Sequence, residues 1–550
     1  MTNGASALLE TLRNAGVDTC FINPGTSEMH FVSALDDSDV RCVLALFEGV
    51  ATGAADGYAR MAQKPAATLL HLGCGLGNGI ANLHNARKAR VPIVNIVGDH
   101  ATYHTKYDAQ LQSDIETLAR NVSTWVRTTS SVRNLAKDTA EAVSVAIGPQ
   151  EQIATLILPA DVSWGEGAVA VQPAPRPQPE CAAPSVIDEV ARVLKSGEKT
   201  AILLGRRVLL EQGLTAAAKI AERTGATVLC EVFPTRLQRG AGLPEVERLA
   251  YFAELASVQL AGYRHLVLID AKAPVSFFAY PGKKSYLVPD GCSVHELVTT
   301  EEDAVGSIEK LVRAVGAERS KPKLAASSRP ELPVGKLTGP KVCQAVGALL
   351  PPNAIISDEA QTSGVKLGAF TAGAPRHDLL TLTGGAIGQG LPVALGAAVA
   401  EPTRPVLALV GDGSAMYTIQ ALWTIVREDL NVTTVILNNR AYSILNIELE
   451  RVGAEEPGPK ARAQFDLTSP PIDFVKLAEG MGMNARRAST AEEFTAALQH
   501  AFSTKGPHLI DAIVPPEFDG LKLRALPMGL EALQRIPSPI AKTLKKKLGL

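Results

Sequence analysis

Two oxygen-bearing side chains at the ends of two apolar runs are where this sequence could first do chemistry. Val406–Val410 reads as a buried strand ending in Gly411-Asp412-Gly413-Ser414, and Thr433–Leu437 reads as a second strand ending in Asn438-Asn439. Asp412 and Asn439 stand 27 positions apart, the length of one strand–helix–strand unit. Neighbouring strands of a parallel sheet end on the same edge, where ligands bind. Both residues would offer oxygen to a hard cation such as Mg2+. Gly411 and Gly413 let the backbone approach a phosphate, and Ser414 opens a helix N-terminus that attracts anions. Together they read as a clamp for a metal and a diphosphate. Gly-Asp-Gly alone is as well explained by an ordinary strand-to-helix turn; the spacing and the Asn-Asn pair favour the clamp.

A second group lies near the N-terminus. Glu48 ends the strand-like run Val40–Ala45 and precedes a helix of small residues, Gly49–Met61. Its carboxylate either caps that helix or serves as a buried acid–base group. His71 follows the strand Ala66–His71 and is either a satisfied core residue or a proton carrier, since imidazole titrates in the useful range. The glycines after it, at positions 73, 75 and 77, do not form a dinucleotide fingerprint. Thr26, in the turn Asn23-Pro24-Gly25-Thr26-Ser27-Glu28, offers a hydroxyl to a ligand or to its own turn. Gln361 and Thr362 follow the strand Ala354–Ser357 in a polar loop, and His100 and His104 follow the strand Val91–Val97.

The elements that must hold these residues alternate between strand and helix patterns, which argues parallel sheets covered by helices. Further strands are expected at Thr19–Ile22, Thr200–Leu204, Thr227–Leu229 and His265–Ile269, and a helix at Ala5–Asn14. Proline-rich stretches divide the chain. The expected organisation is a first domain over 1–170, a linker over 171–185, a middle domain over 186–318, a linker over 319–336, a third domain over 337–515 and a tail over 516–550. The fold class is therefore α/β with three doubly wound parallel-sheet domains. Lys542, Lys545, Lys546 and Lys547 read as a solvated helix end or a frayed tail, with a basic interaction tail as the alternative.

Bulk properties agree. The chain has 550 residues, 46% of them hydrophobic, enough for large cores. A formal net charge of −2 gives no reason to expect nucleic acid or an anionic membrane as partner. Seven widely spaced cysteines without a C-x-x-C pair fit reduced thiols in a cytoplasmic protein. Met1–Ala5 shows no leader pattern, and no apolar run reaches membrane-spanning length.

The run from Leu395 through Gly411-Asp412-Gly413-Ser414 to Asn438-Asn439 resembles the thiamine-diphosphate signature of the acetolactate synthase and benzoylformate decarboxylase family. Leu44–Arg60 resembles that family's strand and helix carrying the activating glutamate. The resemblance covers nearly the whole chain in the order pyrimidine-binding, middle and diphosphate-binding domain. It implies a carbon–carbon lyase or carboligase acting on 2-keto acids, releasing CO2 and giving an aldehyde or a 2-hydroxy ketone. An acetolactate synthase catalytic subunit and a non-catalytic relative of the same fold are the alternatives. It implies thiamine diphosphate, Mg2+ held by Asp412, Asn439 and the carbonyl of Ala441, and contacts to the cofactor from Gly25, Gln361, Thr362, Gly385, Ile387, Gly413, Ser414 and Tyr442. Ile387 would wedge between the cofactor rings. Glu48 would face the aminopyrimidine with a raised pKa, His71 would carry protons and Thr26 would bind the substrate carboxylate. FAD is not expected, because Cys230–Pro234 does not resemble the synthase flavin region. A dimer or tetramer is implied, since family sites form between chains. Two departures stand out. Arg440 follows Asn-Asn where the family often has Gly, so a positive φ there would strain it. Pro274–Tyr280 carries Phe277, Phe278 and Tyr280 where one branch has a second active-site histidine, which makes that wall apolar.

Overall fold

The computed structural model describes residues 2–176, 178–452, 457–516 and 520–548, without the side chains of 520–524, 527 and 545–548. The first sheet contains β1 (Thr19–Asn23), β2 (Arg41–Leu44), β3 (Ala66–Leu70), β4 (Ile93–Asp99), β5 (Trp125–Thr128) and β6 (Ile153–Pro159). Its order is β2-β1-β3-β4-β6-β5 and every pairing is parallel. The chain then forms β7 (Thr200–Leu204), β8 (Thr227–Cys230), β9 (Leu237–Arg239), β10 (Glu247–Arg248), β11 (His265–Ile269) and β12 (Ser293–Val298). Five of these make a second parallel sheet, ordered β10-β8-β7-β11-β12. The last six strands are β13 (Ala354–Glu359), β14 (His377–Thr381), β15 (Val406–Gly411), β16 (Val432–Asn438), β17 (Asn484–Ala488) and β18 (His508–Ile513). They form the third sheet in the order β17-β18-β16-β15-β13-β14-β9, where β9 crosses from the middle segment and pairs antiparallel with β14.

Central strands such as β15 and β16 are buried along nearly their whole length because helices cover both of their faces; β15 is a continuous apolar run, and β16 adds the buried Thr433 and Thr434. In the first sheet Phe21, Leu70 and Val97 face one core and Ile22, Leu69 and Ile96 face another, the alternation a doubly wound sheet requires. The first of these cores runs on into the third sheet, to Ile355, Val410 and Ile436. Two helices join them, Glu48–Ala62 and Gly390–Ala400, both built from small residues. Their backbones approach so closely that a Cβ at Gly396 would lie 1.8 Å from the carbonyl oxygen of Ala54, and one at Gly57 would lie 2.2 Å from that of Val393. Backbone cannot yield as a side-chain tip can, so Gly396→Ala is expected to destabilise the fold by about 3 kcal/mol. A lowered midpoint of thermal unfolding checks this.

The C-terminal segment is helical and docked through residue 541. The helices Gly520–Arg535 and Ser538–Leu548 set Leu530, Leu533 and Ala541 against Leu255 and Val258 of the Ala253–Leu260 helix. Lys542 donates to the carbonyl of Ala261 at 3.2 Å. The apolar stripe, rather than the lysines, decides where this segment sits; the side chains of Lys545, Lys546 and Lys547 lie outside the described residues.

Candidate active site

The C-terminal edge of the first sheet gathers one group of polar residues. Glu48 is the first residue of its helix and is buried. Its carboxylate accepts from Asn78 Nδ2 at 3.0 Å, and among the described residues no helix N–H group donates to it; Phe47 holds the N-cap position. A Cβ at Gly75 would meet Glu48 Oε1 at 2.9 Å and His71 Cβ at 3.5 Å, which places the carboxylate and the histidine on either side of one glycine.

His71 is held from below. Its Nδ1 lies 2.8 Å from Glu28 Oε2, and Gly25 sits under the ring, where a Cβ would come within 2.3 Å of Nδ1. Glu28 is buried; it also accepts from Gly25 N at 2.7 Å and from Ser27 Oγ at 2.7 Å. The carboxylate therefore takes the Nδ1 proton and leaves Nε2 without a partner among the described residues. Leu72, directly after the histidine, has φ +50°, a strained conformation for a leucine. Thr26 is exposed, and its hydroxyl makes no hydrogen bond among the described residues; the neighbouring Ser27 Oγ lies 3.4 Å from His71 Nδ1. Glu28→Ala is expected to leave the ring free to change tautomer and to lower turnover about ten-fold. Imidazole 15N shifts read the first effect and initial rates the second.

A second group lies on the C-terminal edge of the third sheet, where β13, β15 and β16 are adjacent. Asp412 and Asn439 follow β15 and β16, and both are buried. Arg440 N–H donates to Asp412 Oδ2 at 2.5 Å, which ties the two strand ends together. Arg440 has φ +57°, the left-handed conformation that a glycine would adopt without strain. Asn439 Oδ1 accepts from Ala441 N at 3.0 Å, and its amide donates to Ser363 Oγ at 3.2 Å, next to the half-buried Gln361 and Thr362. Tyr442 lies over Gly413, where a Cβ would come within 2.3 Å of the ring, and Ser414 is half-buried beside it. Asp412 accepts only backbone N–H groups, and burial pushes its carboxyl up to about 6, with Asp511 adding repulsion.

Between the groups runs the loop carrying Gly385 and the half-buried Ile387. Glu359, buried, accepts from the N–H groups of Gly388 (2.6 Å), Gln389 (3.3 Å) and Gly390 (2.7 Å), and burial pushes its carboxyl up to about 7. From the other side Asn82 donates to Gly388 O at 3.2 Å and Asn85 to Ala386 O at 2.8 Å. Phe277 stands on Gly385, whose φ is +77°; a Cβ there would come within 2.3 Å of the ring. The rings of His100 and His104 lie with centres 5.3 Å apart and are tilted 50° to each other. Among the described residues no hydrogen bond or ion pair joins Glu48 or His71 to Asp412, Asn439 or Tyr442.

Sequence reasoning passed over Glu28, Asn78, Glu359 and Ser363. The Gly25…Glu28 spacing is that of a capping box and could have drawn attention to Glu28. The other three act on loops remote in sequence and left no local trace.

Three largely parallel sheets covered by helices, with polar groups on the C-terminal edges of two of them, define a class, and comparison places the chain within it. Residues 2–119 match the N-terminal TPP binding domain and residues 362–512 the C-terminal TPP binding domain of thiamine pyrophosphate enzymes. The chain belongs to the thiamine pyrophosphate enzyme family, which has both decarboxylase and acetolactate synthase members. It is 59% identical over 515 residues to IlvX of Mycobacterium tuberculosis, provisionally named as an acetolactate synthase large subunit, covering 93% of this chain and 99% of that one. It is 27% identical to benzoylformate decarboxylase of Pseudomonas aeruginosa, over 92% of this chain and 98% of that one. The thiamine diphosphate-dependent 4-hydroxybenzoylformate decarboxylase of Rhodococcus jostii RHA1 superposes with a TM-score of 0.82 at 25% identity, over 94% and 99% of the two chains. Among the described residues no helix is long and apolar enough to cross a membrane.

Proposed function

We propose that this chain is a thiamine-diphosphate- and Mg2+-dependent enzyme that cleaves or forms a carbon–carbon bond beside the carbonyl of a 2-keto acid. The observation that carries it is the pair of buried oxygen ligands, Asp412 and Asn439, tied together at adjacent strand ends. Their donors, with the carbonyl of Ala441, are all oxygen, the set Mg2+ prefers. Gly413 and Ser414 offer backbone N–H groups to the diphosphate, with Gln361, Thr362 and Tyr442 beside it. The Gly385 carbonyl and the Ile387 side chain orient the rings, and Gly25 leaves room on the opposite wall. Thiamine diphosphate, when bound, supplies a nucleophilic carbon that adds to the keto group and accepts the electron pair released with CO2. Glu48 holds a proton at the aminopyrimidine. His71 moves a proton through Nε2 at the reacting carbon, and Thr26 offers its hydroxyl to the substrate carboxylate. Phe277 makes one wall apolar, which favours loss of CO2 over retention of the charged acid.

His71 and the decarboxylase-like fold support an aldehyde product; the name borne by IlvX supports condensation of two 2-keto acids as the second reading. Leu46, Met416 and Tyr417, large and exposed beside the two groups, support a site completed by a second copy in a cytoplasmic dimer or tetramer. Mass-spectrometric identification of products from a panel of 2-keto acids, with and without an aldehyde acceptor, tests the proposal. Turnover that requires the cofactor supports it; no turnover of any 2-keto acid by the cofactor-loaded oligomer contradicts it.

A further inference from the structure

The middle sheet carries a cluster that the chemistry above does not use. His265 opens β11 and His295 lies on the neighbouring β12, where the register pairs His265 with Ser293 and Val267 with His295. The two imidazoles meet, with His265 Nδ1 3.1 Å from His295 Nε2. Each outer nitrogen faces a carboxylate: His265 Nε2 lies 2.8 Å from Glu198 Oε2, and His295 Nδ1 lies 3.5 Å from Glu189 Oε1. The histidine side chains are 16% and 14% exposed, so solutes reach them, while the carboxylates stand half in solvent.

A neutral imidazole has one N–H and one lone pair. With each N–H on the outer nitrogen, where His265 Nε2 lies at hydrogen-bond distance from Glu198 and His295 Nδ1 at ion-pair distance from Glu189, both lone pairs lie on the nitrogens that meet across the same narrow gap. Two lone pairs repel, so the gap is suited to an electron-pair acceptor. A tetrahedral ion with nitrogens at about 2.0–2.1 Å holds two of them about 3.3 Å apart, close to the spacing found here. A carboxylate behind each ring is also the arrangement that fixes the tautomer and raises the basicity of a metal-binding histidine. We propose that His265 and His295 form a binding site for a divalent transition metal of the Zn2+, Ni2+ and Cu2+ class. Imidazole selects these ions over Mg2+, which keeps the site chemically separate from the oxygen ligands of the third sheet. Among the described residues no three His, Cys, Asp or Glu side chains converge on one point, so water completes the coordination. Bound metal bridges β11 to the edge strand β12. A shared proton is the competing occupant of the same gap.

The test is calorimetric titration of the full chain with Zn2+, in the presence of thiamine diphosphate and excess Mg2+. Wild type is expected to take up one Zn2+ per chain at this site. The double variant His265→Asn/His295→Asn is expected to lose that binding event with turnover unchanged. Glu198→Gln, a conservative change at an exposed position that keeps both ligands, is expected to weaken binding about ten-fold. Co2+ is expected to give the visible absorption of a nitrogen-ligated ion in wild type and not in the double variant. Identical isotherms for wild type and the double variant, as binding at the exposed Cys74 thiol would produce, overturn the proposal. So does the absence of Zn2+ binding in wild type, which leaves the gap to a proton.

Discussion

Glu48→Gln is expected to lower turnover of the preferred 2-keto acid by about 10²–10⁴-fold, the range typical of a lost acid–base group. Cofactor affinity is expected to change by less than about ten-fold, because glutamine keeps the shape and the hydrogen bond from Asn78 while losing the exchangeable carboxyl proton. The helix that follows should be unaffected. Phe47 holds the N-cap position and, among the described residues, no helix N–H group donates to Glu48, so replacing Glu48 removes no cap. Steady-state rates and a cofactor titration on the same preparation separate the two quantities. Equal turnover in variant and wild type would remove Glu48 from the chemistry.

Asp412→Asn is expected to have opposite effects on two measurements. Without a cation, Asp412 is a buried carboxylate whose value is pushed up from 3.8 to about 6 by burial. A raised value means that folding favours the protonated form. Its contribution to stability is therefore complete below about pH 3.8 and is lost as the pH rises through about 6, so above pH 7 the ionised group costs the cofactor-free fold up to about 3 kcal/mol. Asparagine removes that cost but has one carbonyl oxygen for the two N–H groups, of Gly413 and Arg440, that the carboxylate accepts, so the gain is read as pH dependence: the cofactor-free variant is expected to lose less of its unfolding temperature between pH 4 and pH 8 than wild type does. The same change deletes the charge facing Mg2+, and loss of one partner of a buried charge pair costs about 3–5 kcal/mol. Cofactor affinity measured with Mg2+ is thus expected to fall by about 10²–10⁴-fold, and turnover with it at limiting cofactor. A variant that keeps the pH dependence of wild type and binds cofactor normally would mark Asp412 as a structural residue.

Much of the fold was written locally. β15 is an uninterrupted apolar run closed by Gly-Asp-Gly and β16 a run of β-branched and apolar residues closed by Asn-Asn, and such strands announce themselves. β17 reads Asn484-Ala485-Arg486-Arg487-Ala488; it lies on a sheet edge and is mostly exposed, so no apolar pattern marks it. β9 is a strand only because β14 supplies a partner from 140 residues further on, which no local signal encodes. The site divides in the same way. Asp412, Asn439 and Glu48 sit at strand ends with recognisable neighbours. Glu359 matters because it gathers three N–H groups of a loop about 30 positions away, and Glu28 because His71 arrives above it from β3. The docking of the tail was not legible for a related reason: its lysines are conspicuous in sequence and lie on a helix, whereas the apolar stripe that docks it needs the Ala253–Leu260 helix opposite to become visible.

The most direct test is to locate the ion. Crystals grown with thiamine diphosphate and Mn2+ in place of Mg2+ allow the metal to be placed by its anomalous scattering. The expected result is one strong peak per chain within about 2.3 Å of an Asp412 carboxylate oxygen, the Asn439 amide oxygen and the Ala441 carbonyl oxygen, with phosphate oxygens completing the shell. A fully occupied cofactor whose metal lies away from Asp412 and Asn439, or whose diphosphate binds with no metal between these strand ends, would contradict the account.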